Sequence, residues 1–244
     1  MGGNMKLRVL AVLSLGIIAL SCSSPLSDTN VTDPSLLAPD MQVVKSMSGG
    51  ARTVTYEVNI YDKNSNLVTL QNGNVKVNTY QMNVKSNIFG GEYYYLGGES
   101  EVKFQLSTKY TFAVYLSDGS EYDGSVTSQS KDLTSFTVPA TQDHTQNMSV
   151  SWTDTDPAAK MYISMVYTLR TDTSTTTGVK TISIPNPSSG SFVIDKSQFA
   201  IQGGTLTSAD FTLVSEIDGT VDSRFRGGSS VECLVEYTRT SQFF

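Results

Sequence analysis

The chain reads as an all-β protein: two tandem β-sandwiches behind a cleaved leader and a flexible tether. Three observations lead there. Ser, Thr, Val and Gly dominate and Tyr is enriched while Ala, Glu and Lys are sparse, and β-branched and aromatic residues fit a pleated, half-buried surface. After residue 22 no window of ten or more residues carries the i, i+3, i+4, i+7 apolar stripe of a helix. Short runs of alternating apolar and polar residues recur instead, about seven to each half, between clusters of turn residues at roughly 8–12-residue spacing.

The leader comes first. Lys6 and Arg8 are the only charges in residues 1–22, and an apolar and small-residue run extends from Val9 to Leu20, followed by Ser21 and Cys22. A basic start and a short apolar run are the layout of a secretory signal peptide. Twelve helical residues rise only about 18 Å, short of the roughly 30 Å hydrocarbon core, so a permanent span is not expected. Met5-Lys6 is a more usual opening than Met1, and Lys6 in place of Ser or Thr rules out the N-myristoylation pattern. Ala19-Leu20-Ser21 satisfies the small-x-small rule of ordinary secretory cleavage. With the Cys that follows, the stretch from Met5 to Cys22 resembles the signal peptide and lipobox of bacterial lipoproteins, with Ala19 and Leu20 where that family favours Leu and a small residue. The resemblance implies cleavage before Cys22, a diacylglycerol thioether on its sulfur and an acylated amino terminus. Ser23 in the next position, rather than Asp, favours the outer membrane on the same resemblance.

Without residues 1–22 the chain has 15 basic against 23 acidic residues, a formal charge of −8. An acidic surface argues against nucleic acid as a partner and against a basic membrane-binding patch. Cys22 is taken by the lipid and only Cys233 remains, so no internal disulfide is available.

Residues 23–41 read as a tether, with Pro25, Pro34 and Pro39 among Ser, Thr, Asp and Asn. Such a segment buries too little to offset its ordering entropy, and as a coil it spans roughly 24 Å. The first sandwich is expected over 42–140. Val54, Tyr56, Val58 and Ile60 alternate with polar residues, and Asp62 to Asn66 is a turn. Short strands follow at 75–84 and 92–96, with further alternation at Val102, Phe104 and Leu106. Tyr110 to Leu116, then Asp118-Gly119, then Tyr122 to Thr127 is a hairpin signature, because both turn positions want positive φ. Phe136 and Val138 close the unit. The second sandwich is expected over 145–244, with strands at 148–152, 161–169, 181–184, 190–194, 211–213 and 231–237, and with the Thr/Ser run 171–177 as a loop. Val150-Ser151-Trp152-Thr153 followed by Tyr162-Ile163-Ser164 resembles the strand B to strand C passage of fibronectin type III and other immunoglobulin-like domains. That resemblance implies two immunoglobulin-like sandwiches with Trp152 and Tyr162 in the core. One continuous, larger sandwich is the alternative.

Chemistry is sparse. The single histidine, His144, adjoins Asp143 at the junction of the two units, and sequence neighbours rarely make the bond a triad requires. One His and one free Cys do not build a zinc site. Cys233 shares a strand face with Val231, Val235 and Tyr237 and reads as a core residue. Asp154 and Asp156, and Asp218 with Asp222, are oxygen-rich loops without a full calcium motif. No metal or other cofactor is expected. Tyr93-Tyr94-Tyr95, bracketed by paired glycines, is the most suggestive surface feature. At least one of the three points away from the core of a strand. It is then either covered by a neighbouring element or free to offer flat area to a sugar ring or a protein. The expectation is an envelope lipoprotein held by Cys22, periplasmic or surface-facing, with a non-enzymatic adhesion, scaffold or ligand-binding role. A carbohydrate-binding lipoprotein of a glycan uptake system is the alternative, and a glycan-acting enzyme the more distant one.

Overall fold

The structure, a computed structural model, describes residues 25–88 and 90–244. After 3₁₀ turns at Pro25–Asp28 and Pro34–Leu36, the chain enters β1 (Ala38–Ser48) and turns through Gly49 and Gly50 into β2 (Ala51–Tyr61). Both glycines have positive φ, 56° and 85°, as the tight turn requires. Three short strands follow, β3 (Asn74–Val77), β4 (Tyr80–Gln81) and β5 (Asn83–Ser86), then β6 (Glu92–Gly97), β7 (Lys109–Tyr115) and β8 (Glu121–Thr127). β9 (Ser135–Thr137) and β10 (Thr141–Gln142) occupy the middle of the chain. β11 (Met148–Thr153), β12 (Lys160–Arg170), β13 (Thr175–Ser183), β14 (Ser191–Ile194), β15 (Thr205–Asp218), β16 (Thr220–Val221) and β17 (Ser230–Phe243) complete it.

The fold is an all-β sandwich. Its large sheet runs β13-β12-β15-β17-β1-β2-β6-β5, with β10 added beside the end of β17; a five-stranded sheet runs β16-β8-β7-β3-β4 and a three-stranded sheet β14-β11-β9. The large sheet turns Met41, Val43, Tyr56, Val58, Ile163, Leu213 and Cys233 inward, and all are buried in one cluster with Phe112 and Val126 of the five-stranded sheet and Met148 and Trp152 of the three-stranded one. Contact between β8 and the large sheet is close enough that a Cβ on Gly124 would lie 2.4 Å from Met41 Sδ.

The sheets do not divide where two tandem units would. β1 lies parallel to β17, with Val43 opposite Cys233 and Lys45 opposite Val235. β9 pairs with β11 and β8 with β16, so hydrogen-bonded ladders cross the 140–145 boundary three times. The topology follows the continuous sandwich rather than the tandem pair. The tether expected over 23–41 is folded for most of its length. Val31 and Leu37 are buried and β1 begins at Ala38. The alternation of β1 is masked in sequence because Lys45 holds an inward position and Pro39 opens the strand. Two further expectations change. Val102 and Phe104 are buried but lie in a loop, and β13 starts at Thr175, inside the run read as a loop. Trp152 is a core residue, its Nε1 donating to Pro187 O at 3.1 Å, but Tyr162 points outward and is half-buried.

The loop between β8 and β9 ties the two halves of the chain together from inside. The fully buried Gln129 donates through Nε2 to Ser215 O at 2.9 Å and Cys233 O at 3.0 Å, and its Oε1 accepts from Cys233 Sγ at 3.2 Å. Lys45, buried at 3% exposure, bonds both carboxylate oxygens of Asp132 and sits 5.4 Å from the Phe104 ring centroid. A buried ammonium needs this compensation, since desolvating a charge costs several kcal/mol on its own.

Two substitutions test the arrangement by urea unfolding. Met41→Ala lies within the stretch read as a tether, where a change would stay within about 0.5 kcal/mol; as a core deletion it is expected to cost about 2–5 kcal/mol. Gln129→Ala leaves two carbonyls and a thiol without their partner and is expected to cost about 2–4 kcal/mol, at about 1–3 kcal/mol per orphaned buried group.

Candidate binding surface

The outward face of the large sheet carries a row of polar and aromatic residues across its strands. Strand alternation and register set its content. One row across it reads Asn83, Tyr95, Glu57, Gln42, Glu232 and Asp218. At its centre Val214 and Leu234 are buried beside half-buried Val44.

Of the three adjacent tyrosines, the structure brings two to this face. Tyr94 points inward at 3% exposure; its hydroxyl accepts from Leu70 N at 2.8 Å, and burial raises its pKa to about 12. It is a core residue and offers nothing to a ligand. Tyr93 and Tyr95 are half-buried on the outer face, edge to face with centroids 6.3 Å apart. Tyr95 is already engaged. Its ring overlies Gly97, where a Cβ would lie 2.3 Å from the Tyr95 hydroxyl, and Lys85 Nζ sits 3.5 Å from its centroid. Stacking a sugar on Tyr95 therefore requires Lys85 to move. Tyr93 carries no such cation.

At the other end of the face, Glu216, Asp218 and Glu232 bring carboxylate oxygens within 4.8 Å of one another. This set has the donors for a hard cation, but the Lys160 ammonium lies 3.5 Å from Glu216 and bonds Asp218. Sequence reasoning set Asp218 beside Asp222; in the structure its neighbours are Glu216, two positions earlier on the same strand face, and Glu232, which the β15–β17 register places opposite it. The other oxygen-rich loops serve the backbone. Asp156 accepts from Ser130 N and Oγ and from Ala158 N, Asp154 accepts from Thr134 Oγ1, and Asp222 is held by Arg224 at a pKa of about 2.

His144 and Asp143 do not form a dyad. Asp143 accepts from Thr145 N and Oγ1, while His144 Nδ1 lies 2.8 Å from Phe244 O. Burial pushes the Cys233 thiol up to about 12, which leaves it unreactive. Cys22 lies outside the described residues. A cleft of about 320 Å³ opens near the start of the folded chain, lined by Ser27, Leu67, Thr69, Leu70, Gly90 and Glu92.

No protein-family model matches the chain, and no curated protein matches it. Among solved structures the chain is similar to the Yersinia pseudotuberculosis adhesin InvE, at 13% identity over 86% of this chain and 60% of that one, with a TM-score of 0.24. At that score the likeness carries no argument about what this chain does.

Burial raises the carboxyl pKa of Glu57, Glu216 and Glu236 on this face. For Glu236 the bond from Ser46 Oγ, 2.6 Å, offsets part of the shift. A carboxyl that holds its proton better in the folded than in the unfolded chain stabilises fully below its unfolded value, near 4.5, and loses that contribution as pH rises through the folded value. Glu236→Gln is therefore expected to raise stability at pH 7 and to flatten the fall in stability above about pH 4.5, read by urea unfolding across pH.

Proposed function

We propose that the chain is a lipid-anchored protein of the bacterial outer membrane whose folded part is a non-enzymatic binding module. The supporting observation is the sequence Ala19-Leu20-Ser21-Cys22 at the end of a short apolar leader, placed immediately before a folded β-sandwich. At roughly 0.8 kcal/mol per buried CH₂, two or more acyl chains hold a protein on a bilayer stably. The binding role, as adhesin, scaffold or ligand carrier, is assigned to the outward face of the large sheet. There Tyr93, Tyr95, Lys85, Glu57 and Asn83 combine aromatic area with hydrogen-bonding groups, the mix that recognises sugars and protein surfaces. Carbohydrate binding in a glycan uptake system is the second reading, favoured by the outward placement of Tyr93 and Tyr95.

Intact mass of membrane-purified protein is the test of the anchor. The expected result is the Cys22–Phe244 chain plus a diacylglyceryl group and an acyl chain, lost together with membrane association in Cys22→Ala. An unmodified chain in the soluble fraction overturns the reading. For the glycan reading, Tyr93→Ala is expected to weaken retention on immobilised polysaccharide at least tenfold, about 1.4 kcal/mol, without changing unfolding; unchanged retention removes Tyr93 from the site.

A further inference from the structure

Ile88 stands out among the described residues. At 86% exposure it is the most exposed of the large apolar side chains. It sits at the tip of the β5–β6 hairpin in a turn closed by Asn87 N to Gly91 O at 2.7 Å, Gly90 N to Asn87 O at 3.1 Å and Gly91 N to Asn87 Oδ1 at 2.9 Å. The turn is built, and it holds an isoleucine out into solvent.

Its place in the fold gives this meaning. Ser27 Oγ accepts from Thr69 N at 3.0 Å, and Thr69 Oγ1 donates to Glu92 Oε2 at 2.8 Å. Glu92 opens β6 directly after the turn, and Ser27, Gly90 and Glu92 line one cleft. The start of the folded chain and the hairpin tip therefore share one end of the sandwich. Four residues lie between Cys22 and Ser27, five steps of chain with a reach of at most about 17 Å when fully extended. A lone exposed apolar side chain is ordinary on a protein surface; on the lipid-anchor reading, this one stands at the end of the sandwich from which the chain leads back to Cys22.

We propose that the tip of the β5–β6 hairpin inserts Ile88 into the bilayer interface, as a second membrane contact that fixes the orientation of the sandwich. The inference rests on the lipid-anchor reading. Its occupant is the lipid surface, because on that reading the lipid sits at Cys22, a short length of chain from Ser27, which lines one cleft with Gly90 and Glu92 at the base of the tip.

The test uses the full precursor carrying Ile88→Trp, lipidated in cells, purified and reconstituted into phosphatidylethanolamine–phosphatidylglycerol vesicles with or without brominated acyl chains. The native Trp152 is buried, and the unsubstituted protein supplies its background. A matched Val193→Trp protein reports on an exposed position of β14. The expected result for Ile88→Trp is quenching of the introduced indole by brominated lipid and several-fold protection from iodide, with the indole of Val193→Trp open to iodide. Free access of iodide to the hairpin-tip indole, or equal quenching of the β14 indole by lipid, overturns the proposal. Protection of the hairpin-tip indole without quenching by brominated lipid also overturns it and makes a second copy of the chain the occupant. Flotation and intact mass on the same samples separate the two ideas. Protein that floats with the lipid mass but exposes the hairpin-tip indole refutes only the insertion, whereas protein that does not float refutes the anchor and the insertion with it.

Discussion

The parallel pairing of β1 with β17 is the constraint on which the rest depends. β1 joins a hairpin partner on one side, β2, to the last strand of the chain on the other. Nothing local enforces that contact; the two strands are separated by most of the sequence. It forms because both turn an apolar face the same way, and because Gln129 and Lys45 carry the central loop into the same layer. Each of these polar groups is buried with its partners satisfied, which makes the arrangement specific as well as stable.

The outward face shows the same economy. Its aromatic and acidic groups largely compensate one another: Lys85 against Tyr95, Lys160 against Glu216 and Asp218, Ser46 against Glu236. Such a surface is ordered before any ligand arrives. On the proposed binding role, a partner that displaced Lys85 or Lys160 would have to supply equivalent contacts of its own, through hydroxyls or matched charge.

The class, and most strands, were legible in the sequence because alternation and turn residues are local signals. Val54 to Ile60 and the Asp118-Gly119 hairpin are the clearest cases, although only Gly119 takes positive φ, 83°, where the expected turn asked it of both residues. What escaped reading was non-local. β1 was hidden by Pro39 and by the inward Lys45, whose partner Asp132 lies far along the chain. The orientation of Tyr94 against Tyr93 and Tyr95 follows from alternation, but which set faces the core depends on Val58 and Leu70. The immunoglobulin-like resemblance implies a core Tyr162 beside Trp152, yet on β12 the inward positions fall to Met161 and Ile163, which turns Tyr162 to the other face. In the acidic trio, Glu216 and Asp218 share a strand face by local alternation, and only Glu232 is added by the β15–β17 register.

The direction of the two terminal strands has a mechanical meaning. β1 is entered at the end nearer Cys22, and β17, running the same way, leaves at the opposite end. With the chain held ahead of β1, as proposed, tension toward Phe244 would pull along both strands in opposite senses and load their nine residue pairs in shear. Bonds arranged that way share the force and yield together, whereas a ladder peeled from one end loses them singly. A molecule held to a membrane at one end and gripped at the other would meet that force through a nine-pair ladder at the middle of its largest sheet.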